Sequence, residues 1–196
     1  MGRKSESTAY PARVVFLDRD GVINEYPGDF NYVARLEEFK LLPHVRTPLE
    51  KLCAAGYHLF VVSNQAGVSK GLYTRKDLDA MDAAMKKELG GKVNFDGIFY
   101  CTHRSEENCS CRKPKTGLLE RGLAHLTQQG LSVDKGRSFF IGDSIVDVQT
   151  GKNAGVRTIL VFSGREKKEN RTAWQAVPDH TADALAQAAD IILNNP

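Results

Sequence analysis

The stretch FLDRDGVIN places two carboxylates, Asp18 and Asp20, two residues apart where an apolar run ends. In a segment that stays extended, side chains at i and i+2 share a face, so both acids can approach one centre. Asp and Gly are equally at home in an N-cap or a tight turn, so the pair alone is ambiguous. A second apolar run ends in FFIGDSIVD, with Asp143 and Asp147 one helical turn apart. Carboxylates converging from both runs would repel unless a cation joined them, and hard oxygen donors of this kind suit Mg2+, which also takes phosphate oxygens. A third run closes on Ser63 and Asn64, a hydroxyl and an amide suited to a phosphate, and Lys113 adds a compact positive charge.

The other concentration of chemistry is CTHRSEENCSCRKP, which begins at Cys101. Its C-x-H and C-x-C pairs, five residues apart, offer four soft or borderline ligands: Cys101, His103, Cys109 and Cys111. Four such donors describe a closed tetrahedral Zn2+ site without an open position, hence a structural metal rather than a catalytic one. Free thiols beside a surface histidine are the alternative. A bound metal would order a polar loop that runs directly into Arg112 and Lys113. Cys53 has no partner nearby and reads as a small core residue.

These residues need elements to hold them. RVVFLD (13–18), YHLFVV (57–62), FDGIFYC (95–101), RSFFIGD (137–143) and VRTILVF (156–162) have the β-branched and aromatic character of buried strands. Between them lie amphipathic stretches. TPLEKLCAAG predicts a helix with a capping box from Thr47 to Glu50, Pro48 at its first position and Gly56 at its stop. Thr74 and Asp77 open a second helix with a Leu78, Met81, Met85, Leu89 stripe, and residues 115–129 form a third, closed by Gly130. A short helix runs to Asn153, REKKENR (165–171) reads as a solvated loop, and TADALAQAADIIL gives a last helix and a short edge strand. The alternation predicts an α/β fold, a three-layer Rossmann-like parallel sheet with helices on both faces and no large cap. Ligands in such sheets sit beyond the carboxyl ends of the strands, where the polar residues above are found.

The chain has 196 residues, 41% hydrophobic and 26% charged, with a net charge of +3. That length fits one domain over residues 11–196, carrying the zinc loop at 101–113, behind a flexible polar leader at 1–10. The leader lacks the apolar run of a signal peptide, and clustered cysteines favour a reducing compartment, so a cytoplasmic protein is expected. The small net charge argues against a nucleic-acid partner, and no stretch is long and apolar enough for a membrane partner. A small phosphorylated molecule and a monomeric chain are expected instead.

Taken in order, DRDGV (18–22), VVSN (61–64), RKP (112–114) and GDSIVD (142–147) resemble the four motifs of the haloacid dehalogenase (HAD) superfamily of phosphohydrolases, over residues 13 to about 160. The resemblance implies that Asp18 is the nucleophile, taking the phosphoryl group as an aspartyl phosphate. It implies that Asp20 is the general acid and base, and that Mg2+ is held by Asp18, Asp143 and the backbone carbonyl of Asp20. Ser63, Asn64 and Lys113 would hold the transferring phosphoryl group. Val22 stands where many members have threonine. For Asp147, orienting its helix and touching the metal are both open.

The Cys/His loop narrows the resemblance to the subgroup of small, capless enzymes, subfamily IIIA, that hydrolyse heptose bisphosphate or histidinol phosphate. LDRDGVIN, Tyr32-Val33, SNQAGVSKGLYT and CRKPKTG are most similar to the heptose branch. The implied substrate is D-glycero-D-manno-heptose 1,7-bisphosphate, cleaved at its 7-phosphate in the ADP-heptose supply to lipopolysaccharide core. Histidinol phosphate is the alternative substrate, and a non-catalytic, zinc-clipped phospho-acceptor or binding domain is the alternative of another class. Some heptose enzymes carry lysine where this chain has Ser144, which leaves the anomer open. With no large cap, loops must read the sugar, and Asn24, Tyr32, Gln65, Arg75 and Arg112 are the candidates, the arginines for a second phosphate. For Arg75 a solvated surface position, and for Tyr32 loop packing, are the competing readings.

Overall fold

Strands that are apolar on both faces can be buried only if helices cover both sides of their sheet, and the chain meets that demand. The computed structural model describes residues 10–195. The leader expected at 1–10 lies, apart from Tyr10, outside the described residues. Among the described residues six strands form: β1 (Arg13–Leu17), β2 (Tyr57–Asn64), β3 (Gly97–Cys101), β4 (Phe139–Gly142), β5 (Arg157–Val161) and β6 (His180–Ala182). Between and after them come α1 (Arg46–Ala54), α2 (Arg75–Leu89), α3 (Gly117–Gln128), α4 (Ile145–Ala154) and α5 (Leu185–Asn194).

The sheet has the order β3-β2-β1-β4-β5-β6, and all its neighbours pair in parallel. The chain builds outward from β1 to β3, crosses back to β4 and builds outward again. The order therefore reverses between β1 and β4, and a crevice opens beyond the carboxyl ends of those two strands. Alternation along β1 divides the core. Val15 and Leu17 pack with Leu49, Leu52, Met81, Met85 and Ile192, from α1, α2 and α5. Val14 and Phe16 pack with Leu118, Leu119 and Leu126 of α3 and Ala154 of α4. Each fully buried side chain of this size contributes about 1.5–3 kcal/mol. The three-layer α/β reading thus holds.

Local differences have local causes. α1 begins two residues early, at Arg46, with Val45 as its N-cap and no side-chain cap, so the capping box expected from Thr47 to Glu50 does not form and Pro48 occupies the third position. The chain reverses just before it, where His44 has a φ of 62°, and that reversal sets the start. α2 follows its sequence signal: Thr74 accepts from the Asp77 N–H while Asp77 reaches back to Thr74. Part of the loop expected at 165–171 winds into a 3-10 segment, Lys168–Ala173, leading to Trp174, which stacks on Phe162. The short edge strand β6 precedes α5. Among the described residues no helix is long and apolar enough to cross a membrane.

Candidate functional site

β1 delivers Asp18 to the crevice by continuing the ladder one residue past its end, the Asp18 N–H donating to Ile141 O of β4 at 2.9 Å. Its carboxylate accepts from the Arg19 N–H at 2.7 Å on Oδ1 and lies 2.7 Å from Lys113 Nζ on Oδ2. The buried Lys113 ammonium also sits 2.6 Å from Asp147 Oδ1. Asp143, buried at the end of β4, accepts from the Arg165 N–H at 2.8 Å. Carboxylate oxygens of Asp18, Asp143 and Asp147 fall within 4.8 Å of one another.

One ammonium among three buried carboxylates leaves negative charge uncompensated. Burial pushes the Asp18 carboxyl up to about 6, against the pull of Lys113 and with the repulsion of Asp147. Burial and the neighbouring Asp18 push Asp143 well above the ordinary carboxylate range. This donor set fits a divalent cation, which offsets both the lost hydration and the repulsion between the carboxylates. There is little slack around it. A Cβ on Gly21, whose φ is +79°, would come within 2.1 Å of Asp143 Oδ2, and one on Gly164 would do the same. Asp143 is wedged between two stretches of bare backbone.

Asp147 has both oxygens engaged. Oδ1 takes Lys113, while Oδ2 accepts from Ser144 N–H at 3.1 Å and Ser144 Oγ–H at 2.6 Å, closing the capping box of α4. It orients its helix and anchors the lysine at once.

Asp20 is held on several sides. Arg19 forks onto it through Nε and a terminal nitrogen, at 3.1 and 2.9 Å from Oδ1. Asn24 Nδ2 donates to Oδ1 at 2.8 Å, and Gln65 Nε2 donates to Oδ2 at 2.8 Å. Arg19 is the largest fully buried side chain, its guanidinium 5.8 Å from the Phe39 ring centre and 5.6 Å from that of Tyr100. It is a positive charge in the interior whose partner is Asp20.

The second strand contributes neighbours in alternation. Ser63 is buried and accepts from Gln65 at 3.3 Å. Asn64 clamps the Lys113 backbone from both sides, accepting from its N–H at 3.1 Å and donating to its carbonyl at 3.2 Å. Its side chain is spent on positioning the lysine rather than on presenting donors to the cleft.

The four expected soft ligands do come together. Cys101 Sγ is 3.6 Å from both His103 Nδ1 and Cys109 Sγ, and Cys111 Sγ is 3.4 Å from His103 Nδ1 and 3.5 Å from Cys109 Sγ. A tetrahedron with metal–sulfur bonds of about 2.3 Å and metal–nitrogen bonds of about 2.0 Å has edges of roughly 3.5–3.8 Å, so the cluster is sized for such an ion. Burial pushes the Cys101 thiol up to about 12, so a metal binding there must displace protons. The loop is fastened elsewhere too: Arg104 donates to Ser69 O at 2.7 and 3.2 Å, and Arg112 to His103 O at 3.2 Å.

A cleft of about 400 Å3 opens over these groups, bordered by Asp18, Asp20, Ser63, Asn64, Lys113 and Asp143 and walled by residues 26–32. Three further cations reach it, Lys70, Arg112 and Arg165. Lys70 Nζ donates to Tyr32 Oη at 2.9 Å, and Arg165 pairs with Asp29 at 3.1 Å. Of the residues expected to read a substrate, Tyr32, Gln65 and Arg112 border the cleft, although the Gln65 carboxamide is committed to Asp20 and Ser63. Two require correction. Asn24 is fully buried with its amide turned onto Asp20, so it cannot touch a ligand. Arg75 lies outside the cleft, exposed at the start of α2 against Thr102.

Lys70 and Arg165 were not singled out from sequence, since a basic residue in a polar loop carries no mark of what it faces. Arg19 carried only a partial one, the adjacent acid it could pair with, and nothing local marked it as buried.

An aspartate at the end of the first parallel strand, a second acid two residues on, an acid at the end of the neighbouring strand and a buried lysine are arranged as the resemblance to the HAD phosphohydrolases implies. Comparison with known proteins gives the same class. Residues 110–188 match the HAD-hydrolase-like family. The chain is 36% identical over 194 residues to the D-glycero-D-manno-heptose-1,7-bisphosphate 7-phosphatase of Chlorobaculum tepidum, covering 94% of this chain and 96% of that one. It is 38% identical to the D-glycero-beta-D-manno-heptose-1,7-bisphosphate 7-phosphatase of Pseudomonas putida, covering 92% and 99%. The D,D-heptose 1,7-bisphosphate phosphatase of B. bronchiseptica, solved with magnesium and phosphate, superposes with a TM-score of 0.82 at 27% identity, over 94% of this chain and 99% of that one. The chain belongs to the HAD-like hydrolase family and, within it, to the group of phosphatases that these relatives form.

Proposed function

We propose that this chain is a Mg2+-dependent phosphatase that removes the 7-phosphate of D-glycero-D-manno-heptose 1,7-bisphosphate. The observation that carries the substrate is the surplus of cations on the cleft. Lys113 is consumed by Asp18 and Asp147, yet Lys70, Arg112 and Arg165 also border the same space. Arg165 is held by Asp29, which leaves Lys70 and Arg112, and a monoester with an amine, such as histidinol phosphate, has no use for two more positive groups, whereas a second phosphate does. The names of the relatives support the same substrate.

In the first step an Asp18 carboxylate oxygen bonds to phosphorus as the bond from phosphorus to the sugar oxygen breaks. The electron pair leaves on that oxygen, and the Asp20 carboxyl gives it a proton. In the second step water attacks the aspartyl phosphate, loses its proton to Asp20 and releases inorganic phosphate and the Asp18 carboxylate. Lys113 and Ser63 lie beside the reacting carboxylate, where charge develops on the phosphoryl oxygens. Mg2+ held by Asp18, Asp143 and the Asp20 main-chain carbonyl supplies further positive charge to those oxygens when bound. The reading takes the enzyme as a monomer and places it in the cytoplasm on the ADP-heptose branch feeding lipopolysaccharide core.

The test is phosphate release from the β and α anomers of heptose 1,7-bisphosphate and from histidinol phosphate, side by side. A kcat/KM preference of roughly a hundredfold for one heptose anomer is expected. A preference for histidinol phosphate would overturn the substrate.

In the same reading the Cys101, His103, Cys109, Cys111 cluster holds Zn2+ as a structural clip, one residue from Arg112 and two from Lys113. Stripping the metal, verified by elemental analysis, is expected to lower the melting temperature and to reduce turnover roughly tenfold, within the range seen when groups supporting a site are lost. The bond cleaved should not change. Stripped protein with full activity and an unchanged melting temperature would contradict the clip.

A further inference from the structure

Asp20 needs a defined orientation to pass a proton to the leaving oxygen, and a residue outside the cleft sets it. Oδ1 of Asp20 already accepts from two Arg19 nitrogens and from Asn24. Oδ2 takes only a longer contact from Arg19 Nη2, at 3.3 Å, so it is the oxygen better placed to carry a transferable proton, and its nearest donor is Gln65 Nε2 at 2.8 Å. A carboxamide can face either way, and only one orientation presents its NH2 group to Asp20. What selects that orientation is Tyr73, whose hydroxyl donates to Gln65 Oε1 at 2.6 Å.

Tyr73 is buried and has little freedom. The turn from Gln65 to Tyr73 wraps around its ring so closely that a Cβ on Gly67 would lie 2.1 Å from the ring edge. On its far side the next residue, Thr74, caps α2. The same turn is held from outside by Arg104 of the Cys/His loop, through Ser69 O.

We propose that Tyr73 is a positioning residue for proton transfer, acting through Gln65 on Asp20. The proposal rests on Asp20 being the general acid of a phosphatase, and its test separates the two. Loss of the Tyr73 hydroxyl lets the Gln65 amide turn over, so Oδ2 loses its closest donor while Asp18 and Lys113 stay in place; the longer Gln65 contact to Ser63 is lost with it and weighs on every substrate alike. The defect then depends on the leaving group. A sugar alkoxide needs the proton as it departs, whereas a nitrophenolate leaves without one, and kcat/KM reports the steps up to that departure.

The experiment measures kcat/KM on heptose 1,7-bisphosphate and on p-nitrophenyl phosphate for the parent, Tyr73→Phe, Gln65→Met and the double variant. Tyr73→Phe keeps the ring and its packing. It is expected to lower the sugar-to-aryl ratio about tenfold, a fraction of the hundredfold or more that a positioned general acid contributes. In the Gln65→Met background the same change should do nothing further on the sugar phosphate, because the tyrosine acts through the glutamine. Multiplicative effects of the two substitutions on the sugar phosphate, or equal losses on both substrates, would overturn the positioning role and leave the phosphatase reading intact. A parent protein that hydrolyses neither ester would overturn the phosphatase reading itself, and this proposal with it.

Discussion

Asp18→Asn is expected to abolish phosphate release, by about four orders of magnitude or more, while raising the melting temperature of the metal-free protein. The loss follows from the chemistry. An amide oxygen so placed neither attacks phosphorus nor stores the phosphoryl group, and residues acting as one unit fail together when one is removed. The gain in stability follows from burial. Asp18 is pushed up to about 6 because the fold strips water from its carboxylate and sets Asp147 beside it, more than Lys113 compensates. Below the ordinary carboxylate pKa of 3.8 both folded and unfolded chains hold the proton, and the group contributes nothing to pH dependence. Between there and about 6 the unfolded chain ionises first, so stability falls as pH rises, and above that the full penalty remains. Asparagine removes the penalty, a gain on the order of 1 kcal/mol at neutral pH. Thermal unfolding across this pH range, with and without the substitution, checks it. A variant that melts lower than the parent at neutral pH would show that the carboxylate stabilises the site.

The second large effect is on the lysine. Lys113→Met is expected to destabilise the fold by about 3–5 kcal/mol and to lower turnover by about a thousandfold. Lys113 Nζ touches Asp18 and Asp147 at 2.7 and 2.6 Å, in a buried position, and Asp143 shares the same charged neighbourhood. Its removal leaves buried carboxylates facing one another with no cation of the chain between them. Those two neighbours also hold the ammonium well above its ordinary pKa, so Lys113 is charged throughout the accessible range. The destabilisation should therefore follow the acids: with the pull of Lys113 gone, Asp18 holds its proton to a pH above about 6, so the loss grows as pH rises past that point and is partly recovered below it. Denaturant unfolding on either side of that pH measures the difference. Equal losses at both would mean that the lysine acts through packing rather than charge.

How much of this was legible in the sequence depended on what each feature rests on. The strand ends were readable because parallel strands buried on both faces are long apolar runs, and a charge that stops such a run is conspicuous. The Cys/His cluster was readable because its donors lie close in sequence, so the chain itself brings them together. Asn24, Gln65 and Arg75 were candidates for touching substrate, and two of them turned inward onto Asp20 while the third faces solvent. Which way a polar side chain near a site points is decided by the turn that carries it, and that turn is set by contacts distant in sequence, such as Tyr73 against Gly67 or Arg104 on Ser69. Arg19 is the same problem in its strongest form. Its neighbours in space, Phe39 and Tyr100, lie 20 and 81 residues further along, so its burial between them followed from no local pattern. The start of α1 was misplaced because a chain reversal, not a capping side chain, begins it.

The mechanism depends on Asp18 carrying the phosphoryl group. Rapid acid quenching of the wild-type protein during turnover of heptose 1,7-bisphosphate, followed by peptide mass spectrometry, tests this directly. The predicted result is a transient mass increase of one phosphoryl group on the peptide containing Asp18, absent from the Asp18→Asn protein. Turnover without that adduct, with undiminished phosphate release by Asp18→Asn, would contradict it and assign the strand-end acids to direct attack by water.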